Sequence, residues 1–293
     1  MTTCVNYADI KARYGNKGQG KLPFIPGLEA AGIIEQVGDE VISFVVGDRV
    51  MAFPHHGSYA EYIVADENLT FAIPDSIGFD VAGSYGIVSF LSYKLLTDVA
   101  KLQDGDKVLI HSASGGVGTT AIQVAKALGA GTIIGTVGHT TKISTALEAG
   151  ADHVICYNNE DFAQTVNELT DSKGVPIILD SIGGEITAQS MKCLSNYGRL
   201  VVFGNSSGEY GQLQTGDLHS SCRSVLGFSL GTTRKEQPEV LKDISTHVLR
   251  MLESDQIQIK ISEKLPLKEA ALAHQRIESR NSTGKILLYT EYS

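Results

Sequence analysis

The stretch Lys107-Val108-Leu109-Ile110-His111-Ser112-Ala113-Ser114-Gly115-Gly116-Val117-Gly118 decides the fold of this chain. Its first five residues form a short apolar run that predicts a buried strand, and the glycines after them predict a tight turn. Beyond the turn, one apolar helical face is formed by Val117, Ala121, Val124 and Leu128. Gly129 stands where a helix C-terminus favours glycine. A strand, a glycine-rich turn and a helix in this order predict the opening of a βαβ unit.

The same alternation continues through the middle of the chain. Further strand-like runs are Thr132–Val137, His153–Cys156, Ile177–Asp180, Leu200–Gly204 and Ser224–Leu230. Helix-like stretches separate them at Lys142–Ala149, around Phe162, Val166 and Leu169, and near Glu185–Leu194. A set of unrelated buried helices would not give such short runs between glycines. The pattern therefore predicts an α/β protein with a doubly wound parallel sheet of the Rossmann type.

The segments before and after this region have a different pattern of apolar and polar residues. Residues 22–74 alternate apolar and polar positions between glycines, which predicts a small, mostly antiparallel β-domain. Near the C-terminus an amphipathic helix carries Leu241, Ile244, Val248 and Met251, and Lys285–Tyr289 reads as a strand. We expect three segments: a substrate domain over 1–86, a nucleotide-binding domain over 87–231, and a helix with return strands to the first domain over 232–293.

The composition limits the classes of partner. The chain has 24 basic and 33 acidic residues, a net charge of −9, which gives no electrostatic attraction to nucleic acid or anionic membranes. Its apolar runs are too short for a membrane span, and its first residues lack the apolar core of a secretory signal. The four cysteines form no CxxC pair, which fits a reducing compartment. These features predict a cytoplasmic protein.

The glycine-rich turn is a candidate nucleotide site. Residues 113–118 match the pattern GxGxxG except that Ala113 replaces the first glycine. In a strand–turn–helix context such glycines let a pyrophosphate approach the helix N-terminus, although the same turn can be purely structural.

The residues after the second strand bear on the choice of cofactor. No Asp or Glu follows Gly118 before Glu148, so no carboxylate is placed to bind a ribose 2′-hydroxyl or repel a 2′-phosphate. Lys142 and Tyr157 can donate hydrogen bonds to a phosphate, although Lys142 can also be a solvated lysine at a helix start. The sequence favours NADPH over NADH.

Many ordered blocks resemble the zinc-free quinone oxidoreductase branch, the ζ-crystallin-like branch, of the medium-chain dehydrogenase/reductase superfamily. The blocks include residues 5–9 (VNYAD), 26–32 (PGLEAAG), 46–50 (VGDRV), 113–118 (ASGGVG), 148–155 (EAGADHVI) and 203–208 (FGNSSG). This resemblance implies a GroES-like domain packed on a Rossmann domain, with NADPH and a small-molecule substrate between them.

The resemblance also implies cofactor contacts at matching positions. The pyrophosphate is expected on the turn and the 2′-phosphate on Lys142 and Tyr157. The nicotinamide end is expected near Asn6, Phe203, Asn205 and Phe228. The full implied set is Asn6, Ser114, Gly115, Gly116, Val117, Gly138, Lys142, Tyr157, Ser181, Phe203, Asn205, Phe228 and Arg280.

The same comparison argues against zinc. Zinc-dependent relatives carry a cysteine at the position of Asn6 and a histidine in the block that contains Leu28, and neither residue here supplies those ligands. His55-His56 lacks a third spaced ligand and reads as a loop. Without a Lewis acid, we expect hydride transfer from NADPH to an acceptor that is already electrophilic, a quinone or an activated enone.

Asn6 and Lys11 are the candidate catalytic residues. Lys11 stands where many family members have a tyrosine; it either stabilises a developing oxyanion or is solvated. The threonine that the family carries near Phe90-Leu91-Ser92 is also missing. Both departures leave the acceptor open.

Two other functions remain. An enoyl-thioester reductase of the same superfamily would need a basic patch for its substrate, and the sequence has no clear basic cluster. A non-catalytic NADPH-binding or RNA-binding protein would keep the same turn, although the net charge weighs against RNA. The apolar run Ser224–Leu230 reads as an edge strand, and we expect it to pair two copies into a homodimer.

Family members carry further residues before the block at Val5. We expect the GroES-like domain of the chain as given to lack the opening strands that those residues form. The apolar faces near Ile33–Val37 and Val41–Val46 would then be partly uncovered, and the chain would bind cofactor but reduce acceptors poorly.

Overall fold

The computed structural model describes residues 1–15, 22–55, 57–280 and 282–290. The strands are β1 (Thr2–Val5), β2 (Ala30–Ile33), β3 (Arg49–Pro54), β4 (Ala65–Ala72), β5 (Lys107–Ile110), β6 (Thr132–Val137), β7 (His153–Cys156), β8 (Val175–Asp180), β9 (Leu194–Val202), β10 (Ser224–Gly227), β11 (Ile261–Pro266) and β12 (Lys285–Tyr289). The α-helices are α1 (Tyr7–Arg13), α2 (Phe79–Lys94), α3 (Gly116–Ala127), α4 (Ile143–Glu148), α5 (Phe162–Leu169), α6 (Glu185–Ser190), α7 (Thr215–His219), α8 (Leu230–Glu236), α9 (Val240–Glu253) and α10 (Ala270–Glu278).

The chain divides into two compact units. The first unit contains Met1–Phe90 and Leu230–Ser293, and the second contains Leu91–Ser229. The second unit is therefore one continuous segment, whereas the first is built from both ends of the chain.

The second unit contains a parallel sheet. Its strands lie in the order β10-β9-β8-β5-β6-β7, so the chain starts in the middle at β5, moves out to β7, returns to β8 and moves out the other way. Every pairing in this sheet is parallel. This is the strand order of a doubly wound Rossmann fold, which confirms the predicted fold class.

Apolar side chains fill both faces of this sheet. Leu109, Ile134 and Ile178 are fully buried on the strands, and Phe162 and Val166 pack against them from α5. Strands that are buried on both faces consist of nearly continuous apolar residues, which is why these strands could be predicted from the sequence.

The first unit contains the second sheet. Its strands lie in the order β11-β12-β1-β2-β3-β4, and all neighbours are antiparallel except β11 and β12. The C-terminal strand β12 pairs with the N-terminal strand β1, from Thr2 opposite Tyr289 to Val5 opposite Ile286. The pairing holds both ends of the chain in one sheet.

Three phenylalanines form the aromatic core of the first unit. The rings of Phe53, Phe71 and Phe90 pack edge to face, with centroids 5.2–5.8 Å apart. The guanidinium of Arg234 lies over the ring of Phe53 at 5.0 Å and donates to the backbone carbonyl of Leu28. This arginine therefore ties α8 to the segment that precedes β2.

Apolar side chains in the segment between β2 and β3 lie at the surface. Ile42 is 91% exposed, and Val45 and Val46 are 64% and 61% exposed. The predicted poor reduction of acceptors stays a prediction.

Element bounds differ from the sequence prediction mainly around β9. The predicted helix near Glu185–Leu194 ends at Ser190, and the strand predicted to begin at Leu200 begins at Leu194. The reason is a register shift, because β8 pairs first with Leu194 and then with Arg199. The residues between bulge outward, and Tyr197 adopts a positive φ of 60°.

Two features bear on partners. In the described residues, no helix is both long enough and apolar enough to cross a membrane. Strand β10 stands at one edge of the parallel sheet, next to β9. The homodimer and the cytoplasmic location stay predictions.

A buried histidine joins three elements of the second unit. His111 follows β5; its Nδ1 lies 2.8 Å from Oγ1 of Thr136 on β6, and its Nε2 lies 2.8 Å from Oγ of Ser190 on α6. Ser190 donates its own proton to the carbonyl of Ile186, so it accepts from Nε2–H, and Nδ1 accepts from Thr136. His111 is therefore neutral and satisfied at both ring nitrogens.

We predict that replacing His111 with Gln weakens the acid sensitivity of the second unit. Burial lowers the pKa of His111 from 6.5 to about 4. Between these values the unfolded chain binds a proton that the folded chain does not, so the free energy of unfolding falls as the pH falls, by up to about 3 kcal/mol. Denaturant unfolding of wild type and His111→Gln between pH 6.5 and pH 4.5 measures the difference. His219→Gln, at an exposed position, is the matched control. Parallel pH profiles for wild type and His111→Gln would contradict the prediction.

Candidate functional site

The predicted cofactor residues of the second unit gather at one edge of the parallel sheet. Most follow directly on a strand: the glycine turn on β5, Gly138 on β6, Tyr157 on β7, Ser181 on β8, Phe203 on β9 and Phe228 on β10. The carboxyl ends of parallel strands all lie at the same edge, which is where open α/β sheets bind ligands. Strands β6 and β7 lie on one side of β5, and β8, β9 and β10 lie on the other. The strand order therefore reverses between β5 and β8, and the turn after β5 lies at this switch point.

The glycine turn brings the start of α3 against the end of β5. A Cβ on Gly118 would lie 2.7 Å from the carbonyl carbon of Ala113 and still closer to the carbonyl oxygen of Ser112, so only glycine fits. Gly115 is different, because its Cβ would meet only the Ser112 oxygen at 3.4 Å, an ordinary contact. The room at Gly115 leaves the backbone open to a ligand. The first N–H groups of a helix have no partner within the helix and favour an anion there.

The ends of β6 and β7 pack closely on each other. A Cβ on Gly138 would lie 2.8 Å from the hydroxyl oxygen of Tyr157. His139, next in sequence, accepts the backbone N–H of Thr141 through Nδ1 and so begins the short 3₁₀ turn Thr140–Lys142. Lys142 is half-buried at the end of that turn. Gly138, Lys142 and Tyr157 therefore belong to one neighbourhood, and His139 joins them although the sequence pattern did not single it out.

A buried carboxylate shapes the turn after β8. Asp180 accepts hydrogen bonds from the backbone N–H groups of Ile182 and Gly183 and from the hydroxyl of Thr187. The carbonyl of Ser181 accepts from the N–H of Ser206, which joins this turn to the one after β9. Through these bonds Asp180 positions Ser181 and the segment of Phe203 and Asn205; sequence analysis did not identify this role.

The other predicted residues belong to the first unit. Lys11 is half-buried on α1, and its Nζ lies 5.8 Å from the centroid of the Tyr7 ring. Arg280 is exposed, follows α10 and has a positive φ of 57°. Asn6, at the N-cap of α1, is buried.

Asn6 is part of a buried polar cluster that consists of Cys4, Asn6, Glu29 and Lys285. The amide oxygen of Asn6 accepts from Nζ of Lys285 at 2.7 Å, and its amide nitrogen donates to Oε1 of Glu29 at 3.0 Å. Cys4 donates its thiol to the same Oε1 at 2.8 Å, and Nζ of Lys285 lies 3.2 Å from it. The remaining oxygen, Oε2, accepts from the backbone N–H of Ile87 on α2 at 2.7 Å. Both polar atoms of the Asn6 side chain are engaged within this cluster.

The protonation states in the cluster follow from burial and charge. Burial and the neighbouring Glu29 raise the pKa of the Cys4 thiol well above its ordinary value, so the thiol stays protonated. Burial alone would lower the pKa of Lys285, but the carboxylate of Glu29 beside it raises that pKa above its ordinary value. Lys285 is therefore a buried ammonium.

A second chain of polar groups leads from Asp9 outward. Asp9 accepts from the backbone N–H of Asn6 at 2.8 Å and of Gly27 at 3.2 Å, and burial raises its pKa to about 6. The hydroxyl of Tyr59 lies 3.4 Å from Asp9 and 3.0 Å from Nε2 of His274. Burial raises the pKa of Tyr59 and lowers that of His274. Through Asp9, the start of α1 is bonded to the segment at Gly27.

The residues present do not fit a zinc ion. Leu28 has no donor in its side chain, and the amide oxygen of Asn6 is held by an ammonium. Over the described ranges of the chain, no group of three or more His, Cys, Asp or Glu side chains could hold a metal. His55 is exposed and its backbone N–H donates to Val64, while His56 lies outside the described residues.

Two family models match the chain. The model described as alcohol dehydrogenase GroES-like domain matches residues 1–75. The model described as zinc-binding dehydrogenase matches residues 116–246. The two matches follow the order of the antiparallel and parallel sheets.

The chain is also similar over nearly its whole length to known proteins that have different names. Quinone oxidoreductase 1 of Escherichia coli is 37% identical, with the match covering 97% of this chain and 88% of the relative. Quinone oxidoreductase of Pseudomonas aeruginosa is 36% identical, covering 97% and 87%. A synaptic vesicle membrane protein VAT-1 homolog of Danio rerio is 31% identical, covering 98% and 62%.

Solved structures agree with these matches. The crystal structure of E. coli quinone oxidoreductase complexed with NADPH superposes with a TM-score of 0.92 at 34% identity, covering 98% of this chain and 89% of that one. A quinone oxidoreductase of Pseudomonas syringae gives 0.91 at 33% identity, covering 98% and 88%. The fold, the glycine turn and these similarities together place the chain in the quinone oxidoreductase branch of the medium-chain dehydrogenase/reductase superfamily.

Proposed function

We propose that this protein is an NADPH-dependent oxidoreductase that transfers a hydride to a quinone or an activated enone without zinc. One observation carries the proposal. The glycine turn, Gly138, Lys142 and Tyr157 lie toward the carboxyl edge of the parallel sheet, and no acidic residue stands between the end of β6 and Glu148. The E. coli relative with this fold is a complex with NADPH, which supports the same cofactor here.

The residues of the second unit fit NADPH. The N-terminus of α3, with open backbone at Gly115, suits a pyrophosphate. Lys142 and Tyr157 suit the 2′-phosphate, since an ammonium and a phenol both donate hydrogen bonds to phosphate oxygens. When bound, NADPH supplies the hydride. The chain's own contribution is to hold and orient the reactants, and proximity alone lowers such barriers substantially.

The proposal of a zinc-free reaction is supported by the side chains in the first unit. Asn6 and Leu28 offer no thiolate or imidazole, and Lys285 already neutralises Glu29. An acceptor that needs no Lewis acid fits such a protein, and quinones and enones are electrophilic on their own. Lys11 remains a candidate for stabilising the oxyanion that forms on such an acceptor.

Oxidation of NADPH against a panel of quinones, simple enones and enoyl-thioesters tests the function. We expect turnover with quinones or enones, weak turnover with enoyl-thioesters, and no change after dialysis against a strong chelator. Activity that is confined to enoyl-thioesters, or lost on chelation and restored by zinc, would contradict the proposal.

Lys142 tests the choice of cofactor. We predict that Lys142→Ala weakens NADPH binding by about 10- to 100-fold, the scale of one charged hydrogen bond, and leaves NADH binding nearly unchanged. Fluorescence titration with both cofactors measures this. Lys173→Ala removes an exposed lysine of the same unit and serves as the control. Equal losses for NADPH and NADH, or none, would show that Lys142 does not select the cofactor.

Substitutions at two glycines of the turn distinguish an effect on NADPH binding from an effect on folding. We predict that Gly115→Ala folds normally but binds NADPH about tenfold or more weakly, because its methyl group takes space that the ligand needs. Gly118→Ala instead destabilises the fold by about 1–3 kcal/mol, since its Cβ meets the backbone of the turn. Denaturant unfolding and NADPH titration of both variants distinguish the effects. The reverse pattern would show that the ligand does not approach at Gly115.

A further inference from the structure

The four members of the buried cluster meet because of strand register. In β1, Cys4 faces Leu287 and Val5 faces Ile286, so Asn6 comes opposite Lys285. On the other side, Thr3 faces Ala30, which brings Cys4 opposite Glu29. Cys4 and Asn6 are two residues apart and share a face of the sheet. Three adjacent strands therefore direct a thiol, an amide, a carboxylate and an ammonium to one point.

The ion pair in this cluster is almost completely removed from water. The side chain of Lys285 is 4% exposed and that of Glu29 is 0% exposed. A buried charge is costly unless it is paired and hydrogen-bonded, and a cluster of this kind needs one cation to balance Glu29. Lys285 is that cation, bonded to Asn6 and Glu29.

Two of the donors around Lys285, the sulfur of Cys4 and the carboxylate of Glu29, are of kinds that bind transition metals. Cys4 offers a sulfur, Glu29 a carboxylate and Asn6 an amide oxygen, and all three types occur as ligands of divalent cations. Nζ of Lys285 lies within 2.7 Å of the Asn6 oxygen and 3.2 Å of the Glu29 oxygen. The position that a metal ion would take among these donors is thus held by a cation that is part of the polypeptide.

We propose that the Lys285 ammonium is the resident cation of this cluster and excludes divalent metal from it, and that removing the ammonium converts Cys4, Asn6 and Glu29 into a transition-metal site. Binding of a metal ion there releases the thiol proton of Cys4 to solvent, and the thiolate and carboxylate then balance the two charges of the ion. The inference extends the zinc-free part of the proposed function. Its readout is metal binding rather than turnover, so the two proposals fail separately.

Cobalt(II) is the probe, because a thiolate ligand gives it an intense charge-transfer absorption. Wild type, Lys285→Ala and Lys285→Leu are each refolded with Co²⁺, since the cluster is buried. We expect the thiolate band in Lys285→Ala only, with a Kd at least about tenfold below that of wild type. Leucine removes the charge but fills the space, so Lys285→Leu stays without the band. Lys264→Ala, an exposed lysine on β11 of the same sheet, controls for the loss of any lysine.

Cys4→Ser in the Lys285→Ala background identifies the ligand, and must abolish the band. Zn²⁺ should displace Co²⁺ from Lys285→Ala and raise its melting temperature, while neither ion affects wild type. A Cys4-dependent band in wild type would overturn the proposal, because the ammonium would not exclude metal. A folded Lys285→Ala variant that binds no Co²⁺ would overturn it as well.

Lys285→Ala leaves Glu29 without its cation and can fail to fold in the absence of metal. In that case the proposal requires that Co²⁺ or Zn²⁺ restore folding, because the ion replaces the missing charge. The double variant Glu29→Gln/Lys285→Leu removes both charges and reports whether the sheet tolerates a neutral cluster. If the double variant folds and Lys285→Ala does not recover with either ion, the cluster is not a metal site and the proposal is wrong.

Discussion

The close approach of α3 to the end of β5 is the constraint on which the nucleotide-binding half depends. Gly118 lets the helix backbone touch the turn at Ala113, where a side chain would collide with it. A second glycine, Gly135 on β6, has the same effect one strand away, since its Cβ would lie 2.7 Å from that of Ala113. With both contacts made, the N-terminus of α3 is fixed at the edge of the sheet, and Gly115 leaves space in front of it.

The first unit depends on a different constraint, the pairing of the two chain ends. Because β12 lies beside β1, Lys285 meets residues that precede it by more than 250 positions, with Asn6 at a separation of 279. Glu29 then ties three strands to α2 through its two oxygens. The unit is held by a satisfied polar cluster as well as by its aromatic core, and a network in which every member is paired favours one arrangement of the strands.

The difference between these constraints explains what could be predicted from the sequence. The parallel sheet was predictable because its strands are apolar runs, its helices are short and its glycines mark the turns, all of which are local patterns. The places of most predicted cofactor residues, directly after strands, were predictable for the same reason, while their contacts with a cofactor stay a prediction. The predicted start of β9 was wrong, because the bulge at Tyr197 depends on pairing with β8 and leaves no local pattern in the sequence.

The cluster around Glu29 was missed for a related reason. Asn6 was identified through resemblance, but its partners were not, because cross-strand neighbours depend on register between distant segments. A lysine at the start of an apolar strand, as in Lys285–Tyr289, reads as a solvated strand end in sequence. Only the pairing of β12 with β1 shows that this lysine is buried.

Two buried titratable groups, His111 in the second unit and Asp9 in the first, respond to acid in opposite directions. Burial lowers the pKa of His111 to about 4, so the folded second unit resists a proton that the unfolded chain accepts. Burial raises the pKa of Asp9 from 3.8 to about 6, so the folded first unit takes up a proton before the unfolded chain does. As the pH falls from 6 to 4, Asp9 therefore adds stability to the first unit while His111 removes it from the second. The two terms largely cancel in the whole chain, but they do not cancel within either unit. Mild acid therefore weakens the second unit through His111, whereas in the first unit the gain at Asp9 opposes the loss at His274, whose pKa burial also lowers.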